Sequence, residues 1–160
     1  IYDEQLKKYI SEYLKLDTYE ILNEEQGIIP MTDFPFEKDN SAKITKIGTG
    51  GGWVKASTGY SFKHTEKKIS KIIKNIKSGH KPSKDLFLRK YKFYDAIFLD
   101  VLARRNDKGE QIFSKFYQKN SVEEIFAYLD EETPFNEDLK IMFSLFDPEF
   151  IISFFRKFRL

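Results

Sequence analysis

Apolar positions recur at helical spacing at both ends of this chain and fall into short β-branched runs between them. Leu6, Ile10, Tyr13 and Leu14 predict an amphipathic helix over 3–15, with Asp3 placed to cap it. From Thr18 to Ile29 the helical period fails. Tyr19, Ile21 and Leu22 suggest a strand that resumes at Ile28-Ile29 before Pro30, with Gly27 as a turn or bulge between the two. Met31 to Asn40, with Pro35, two phenylalanines and several acids, reads as a loop. Ile44, Thr45 and Ile47 predict a strand over 44–48, followed by a glycine-rich turn and a helix from about Ser57 to Lys77. Ile69, Ile72, Ile73 and Ile76 form the apolar face of that helix. Lys67, Lys68, Lys71, Lys74 and Lys77 lie opposite, as a solvated face would. Ser78-Gly79 ends it, with Pro82 just beyond.

The remainder reads as consecutive helices over 85–104, 108–118, 121–129, 136–145 and 148–158, broken at Asn106–Gly109, Asn120, Thr133-Pro134 and Asp147-Pro148. Ser121 with Glu124 has the spacing of a capping box, and Pro148 suits a first helical position with Asp147 as cap. The apolar segment from Phe150 to Phe158, with Arg156, Lys157 and Arg159 at its end, suits docking into a core; an interfacial membrane helix is the alternative. No apolar run reaches the roughly 18 residues of a transmembrane helix. The fold class is therefore α+β and mostly helical, with few strands and a C-terminal helical region. The strands are too few to close a sheet, so they are expected to complete sheets whose other strands lie elsewhere.

Composition narrows the chemistry. There is no cysteine, which excludes disulfides and thiolate metal sites. Two histidines, His64 and His80, are too few for a histidine-based metal site and read as surface residues, so no metal is expected. Aromatic residues make up 16% of the chain, with 16 Phe and 9 Tyr, more than a small core uses. Some of that surface should meet a partner domain, an apolar ligand or a membrane. The net charge of +2 hides a division: −6 over residues 1–42, +12 over 43–92 and −4 over 93–160. The basic middle could meet phosphates or an anionic membrane. Mixed charge and the lack of a recognition motif argue against nucleic acid.

The stretch from Ile47 to Tyr60 holds five of the 8 glycines. Strand, glycine turn and helix start together bring backbone N–H groups against an anion or a flat cofactor. The spacing is neither G-x-G-x-x-G nor a phosphate loop ending in Gly-Lys-Ser/Thr. A tight connection without a ligand fits the glycines as well; Trp53 and the pair Ser57-Thr58 favour a ligand.

Three blocks give the chain a resemblance to the C-terminal portion of the lycopene β-cyclase family, the flavoprotein carotenoid cyclases. Leu22 to Thr32 resembles the family's Glu-Glu-x-Gly-x-hydrophobic-Pro segment. Gly48 to Tyr60, ending Ser57-Thr58-Gly59-Tyr60, resembles its small-residue loop followed by Pro-Ser/Thr-Thr-Gly-Tyr. Phe113 to Tyr117, with the acidic helix to Asp130 and Pro134, resembles its Arg-Phe-Tyr helical region. The blocks occur in the family's order and span nearly the whole chain. Lys55-Ala56 departs from the pattern, standing where the family usually has His-Pro. The family's dinucleotide fingerprint and its acidic Phe-Leu-Glu-Glu/Asp-Thr motif are absent.

The resemblance implies a hydroxylase-like, two-domain FAD-binding α/β flavoprotein, of which this chain is the C-terminal part, inactive alone and completed by the N-terminal half of the same enzyme. Residues 1–43 would end the substrate-binding domain. Residues 44–80 would supply the last strand, glycine turn and helix of the FAD-binding domain, and 81–160 the helical region. Gly48, Thr49, Gly50, Gly51, Gly52, Trp53, Ser57, Thr58, Gly59 and Tyr60 are the implied cofactor-binding residues, with Thr49 able to bond ribityl oxygens. The implied reaction is cyclisation of lycopene ends to β-ionone rings without net redox, on reduced FAD with NADPH as reductant. Such chemistry needs a dry aromatic pocket and one positioned acid. The main acid is expected in the upstream motif; Glu25 and Glu24 are candidates to support it. Met31, Phe34, Phe36 and Trp53 are candidates to line the channel for lycopene or a related polyene. A cytoplasmic enzyme peripheral to the membrane is implied. Two other readings remain: a related FAD-dependent oxidoreductase or monooxygenase on another apolar substrate, and a basic module that binds membrane surfaces.

Overall fold

The computed structural model describes residues 2–158. Seven α-helices run along them: α1 (Tyr2–Glu12), α2 (Phe62–Lys77), α3 (Arg89–Arg104), α4 (Gly109–Lys119), α5 (Val122–Leu129), α6 (Phe135–Ser144) and α7 (Pro148–Phe158). Helix ends form where the sequence places their signals. The Ser121 hydroxyl accepts from the Glu124 N–H at 3.2 Å, and the Glu124 carboxylate accepts from the Ser121 N–H at 2.9 Å, closing the capping box of α5. Asp147 accepts from the Glu149 N–H at 3.0 Å at the start of α7. Gly79, at φ 69, closes α2: its N–H and that of His80 donate back to the carbonyls of Ile76 and Asn75. The same closure ends α5, but there the left-handed residue is Glu131, at φ 58.

One apolar core and one pair of packed helices organise the helical part. Phe116, Ile125, Leu129, Ile141 and Leu145 pack together between α4, α5 and α6, with Tyr60, Tyr128 and Phe150 against them. The helix pair is built on α3, whose buried residues Tyr91, Asp95, Ile97 and Val101 run down one side. Helix α7 lies along α3 and meets it at Ser153, which is fully buried. Its hydroxyl sits 3.0 Å from the Ile97 carbonyl and 2.6 Å from Asp100 Oδ2. Arg104 and Arg105 reach across to Glu149 from the end of α3.

The first 61 residues depart from expectation. Among the described residues no strand forms. Residues 19–22, 28–29 and 44–48 are irregular where strands were expected; an isolated extended segment has no neighbour to take its backbone hydrogen bonds. Between α1 and α2 the regular pieces are two 3-10 turns, Phe36–Asp39 and Thr49–Gly51. Helix α1 starts before Asp3 rather than after it and ends at Glu12. Helix α2 starts at Phe62, not near Ser57, and α3 starts at Arg89 rather than at Asp85, which takes a left-handed turn at φ 55.

The largest correction concerns the orientation of α2. Ile69, Ile73 and Ile76 are about half exposed, and the buried residues are His64, Lys68 and Asn75. Asn75 donates to the carbonyls of Pro82 and Lys84, and His64 bonds the carbonyl of Leu129. The polar face goes inward because it meets backbone acceptors that would otherwise stay unpaired. His64 is thus not a surface residue, nor Lys68 part of a solvated face. In α7, Ser153 is what docks, while Ile151, Ile152, Phe155 and Phe158 stay about half exposed or more.

Ser153 has no room for a larger side chain. Ser153→Leu should overpack the α3–α7 contact and destabilise the protein by about 1–3 kcal/mol or more, whereas Ser153→Ala should cost about 1 kcal/mol through the lost hydrogen bond. Urea denaturation of the two variants checks both the sign and the order.

Candidate functional site

A cleft of about 290 Å³ opens between residues 30–37, the glycine turn, and the facing sides of α2 and α3. Four aromatic rings line it, Phe34 and Phe36 edge to face at 5.0 Å together with Phe87 and Phe93, and so does the ion pair of Lys92 with Glu37. Its inner end is ionic, formed by Lys55, His64, Lys68, Asp95 and Glu131.

The centre of that end is Lys55, whose side chain is 0% exposed. Its ammonium lies 3.1 Å from Asp95 Oδ1 and 3.6 Å from Glu131 Oε1, and 5.2 and 5.3 Å from the ring centres of Tyr91 and Tyr128. Two anions and two π faces replace the water that the cation loses. Asp95 also accepts from the Ser57 hydroxyl at 2.6 Å, which locks the loop carrying Lys55 onto α3. Burial lifts the Glu131 carboxyl above the usual carboxylate range, against the lowering pull of Lys55 and Lys68. Burial lowers Lys68, with Glu131 opposing, and its ammonium rests 4.8 Å over the Phe87 ring. His64 is pushed down from 6.5 to about 4, first by burial and then by the positive charges of Lys68 and Lys55. It is therefore a neutral imidazole at neutral pH. Its Nε2 lies 2.8 Å from the Leu129 carbonyl, which can only accept, so Nε2 carries the proton and Nδ1 the lone pair.

The glycine turn borders this cleft through Thr49 and Gly52. Two of its glycines are required by the chain itself. A Cβ on Gly52, at φ 69, would meet the Phe36 ring at 2.7 Å, and one on Gly51 would meet the Lys46 carbonyl oxygen at 2.4 Å. The N–H groups of Gly51, Gly52 and Trp53 donate within the turn. Gly48, at φ 60, and Gly50 face open space, and this side is where a ligand can approach.

The structure gathers some of the residues singled out by sequence and scatters others. Phe34, Phe36, Thr49 and Gly52 line the cleft. Trp53 is buried beneath the turn rather than in the cleft wall, with its indole N–H unpartnered among the described residues. Ser57 is tied to Asp95, and Tyr60 donates to Asp130 at 2.8 Å. Thr58 stays in the loop, where its backbone N–H donates to the Lys55 carbonyl; Gly59, at φ 78, faces Ile29. Met31 is half exposed and, like the exposed Glu24 and Glu25, lies outside the cleft lining. Lys55, His64, Lys68, Asp95 and Glu131 were not singled out. The available signals were Lys55 at a departure from the family pattern and Asp95 one turn after Tyr91 on the buried side of α3.

Gly52→Ala should cost about 1–2 kcal/mol from its left-handed backbone alone, and more through displacement of Phe36; the shift in urea midpoint reads this. The neutral state of His64 makes stability depend on pH. Between its unfolded value of 6.5 and its folded value of about 4, the unfolded chain binds a proton that the folded chain refuses. Stability should fall as pH drops through that window, by roughly 2–3 kcal/mol from this residue. In His64→Gln, unfolding measured across the same window should show a flatter slope.

Among the described residues no helix is long and apolar enough to cross a membrane. No curated protein and no solved structure matches the chain. A family model described as lycopene cyclase protein matches residues 1–157, and with nearly its whole length covered the chain belongs to the lycopene cyclase family.

Proposed function

We propose that this chain forms one wall of the site in which an FAD-dependent enzyme closes the linear ends of lycopene into β-ionone rings. Membership of the lycopene cyclase family supports cyclisation of a carotenoid. The observation that carries the reading is the cleft, where aromatic walls lead to a buried set of acidic and basic groups. Cyclisation by protonation needs both parts. An acid must deliver a proton to an alkene, and the carbocation that follows must meet π faces and no water. Phe34, Phe36 and Phe93 offer such faces, and the Asp95 carboxylate supplies a fixed negative charge.

The glycine turn fits the edge of a flavin cofactor on its open side. Gly48, Thr49 and Gly50 would hold it there, since no side chain of the chain occupies that space at Gly48 or Gly50. Bound in its reduced form, with NADPH as reductant, FAD would supply electrostatic stabilisation of the cation. Thr49 and Gly52 belong to the turn and line the cleft, so the two binding functions would lie side by side.

Two exposed surfaces support the wider setting. Phe62, Ile69, Ile73 and Ile76 make an apolar strip on α2, suited to packing against the N-terminal half of a two-domain flavoprotein. On α7, Ile151, Phe155 and Phe158 beside Arg156 and Lys157 suit peripheral contact with an anionic membrane, where a polyene is dissolved.

The test is expression of the full-length protein in a lycopene-accumulating host. A yellow, flavin-bearing protein and conversion of lycopene to β-carotene are expected. A colourless protein without flavin, or lycopene left unchanged, rejects the reading.

A further inference from the structure

Three lysines line the cleft, and two of them are paired: Lys55 with Asp95 and Glu131, and Lys92 with Glu37. The third, Lys68, is only 8% exposed. Its ammonium rests 4.8 Å over the Phe87 ring, and among the described residues it has neither a hydrogen-bond acceptor nor an ion-pair partner. Asp95 and Glu131 act on it through space, but both are turned to Lys55. A ring face answers one side of an ammonium, and its N–H groups still need acceptors. Packing does not explain the charge. A methionine here would cover Phe87 as well, without the cost of a cation taken out of water.

The charges around Lys68 select the kind of acceptor. Two ammonium groups, Lys55 and Lys68, stand against two carboxylates, Asp95 and Glu131, so the enclosed end sums to zero. An anionic ligand would leave that end with a net negative charge out of water. A bare hydrocarbon would push water off the ammonium and return no acceptor. A neutral oxygen does neither. The rings of Phe34, Phe36, Phe87 and Phe93 suit an apolar chain behind that oxygen.

We propose that the inner end of the cleft is a subsite for a keto or hydroxyl oxygen carried on an isoprenoid chain, with the Lys68 ammonium donating to that oxygen. The isoprenoid part rests on the cyclase reading; the oxygen part rests on Lys68 itself. The cleft would then take an oxygenated polyene end in preference to a hydrocarbon one. The subsite also gives the inward turn of α2 a use. His64 and Asn75 are satisfied there by backbone carbonyls, whereas Lys68 is carried in between them with its donors left for the cleft.

The probe is pseudoionone, a linear isoprenoid ketone, set against the hydrocarbon of the same skeleton, each titrated calorimetrically into the full-length protein. The ketone should bind about tenfold more tightly or better, the size of one charge-assisted hydrogen bond. Lys68→Met should abolish that preference while hydrocarbon binding holds or improves, which also shows that the variant keeps its cleft. Lys68→Gln, with a neutral donor, should keep part of the preference. In infrared spectra the carbonyl stretch of the bound ketone should lie lower in the wild type than in Lys68→Met. Equal affinity for the two probes in the wild type, or no binding of the ketone, overturns the proposal. So does a preference that survives Lys68→Met, because the oxygen would then be held elsewhere. A wild-type protein that converts lycopene without preferring the ketone loses the subsite and keeps the cyclase reading. One that prefers the ketone and never converts lycopene keeps the subsite and loses that reading.

Discussion

A lysine ammonium with no access to solvent has to be compensated on every side, and in this protein that requirement falls on Lys55. Taking a cation out of water costs several kcal/mol unless charges and dipoles replace the lost hydration. The replacements come from separate parts of the chain: Asp95 and Tyr91 from α3, Tyr128 from α5 and Glu131 from the turn that ends it. Each must be in place at once. The loop after the glycine turn, α3 and the end of α5 are therefore fixed relative to one another by a single charge. The aromatic walls of the cleft hang on those same elements.

The helical half was legible because its signals are local. A capping pair, a proline at a first helical position and a glycine after the last turn act within a few residues, and α4 to α7 lie within a residue of where the sequence puts them. The β-branched runs before Gly48 predict strands that do not form among the described residues, because a strand is defined by a neighbour that periodicity cannot supply. The orientation of α2 was illegible for a related reason. Its isoleucine stripe says only that an apolar face exists. Which face turns inward was decided by three polar side chains meeting partners outside the helix, with His64 at Leu129, Lys68 over Phe87 and Asn75 at Pro82 and Lys84.

The site was half legible. Aromatic residues and glycines announce themselves by type, and Phe34, Phe36, Thr49 and Gly52 do meet at the cleft. Its ionic end joins three stretches of chain that lie far apart in sequence, with Lys55, His64 and Lys68 meeting Asp95 and Glu131, each ordinary in its own neighbourhood. Glu131 carried one sign, a non-glycine at a helix end that closes as glycine ends do, but that sign depends on a backbone angle the sequence does not display. Gly51 and Gly52 show the converse. Their lack of a side chain serves contacts with Lys46 and Phe36, so only part of a conspicuous glycine run remains to meet a ligand.

Helix α2 has one further consequence, for how this sequence can change over time. An ordinary surface helix has a single committed face and drifts freely elsewhere. Here His64, Lys68 and Asn75 are committed to the interior, while Phe62, Ile69, Ile73 and Ile76 form a second, apolar face. If both faces are under selection, the arc left free to vary shrinks to residues such as Lys63, Ser70, Lys74 and Lys77. Among related chains, α2 would then diverge more slowly than its exposure suggests, and its lysines would not be interchangeable: Lys68 would be retained where Lys74 would not.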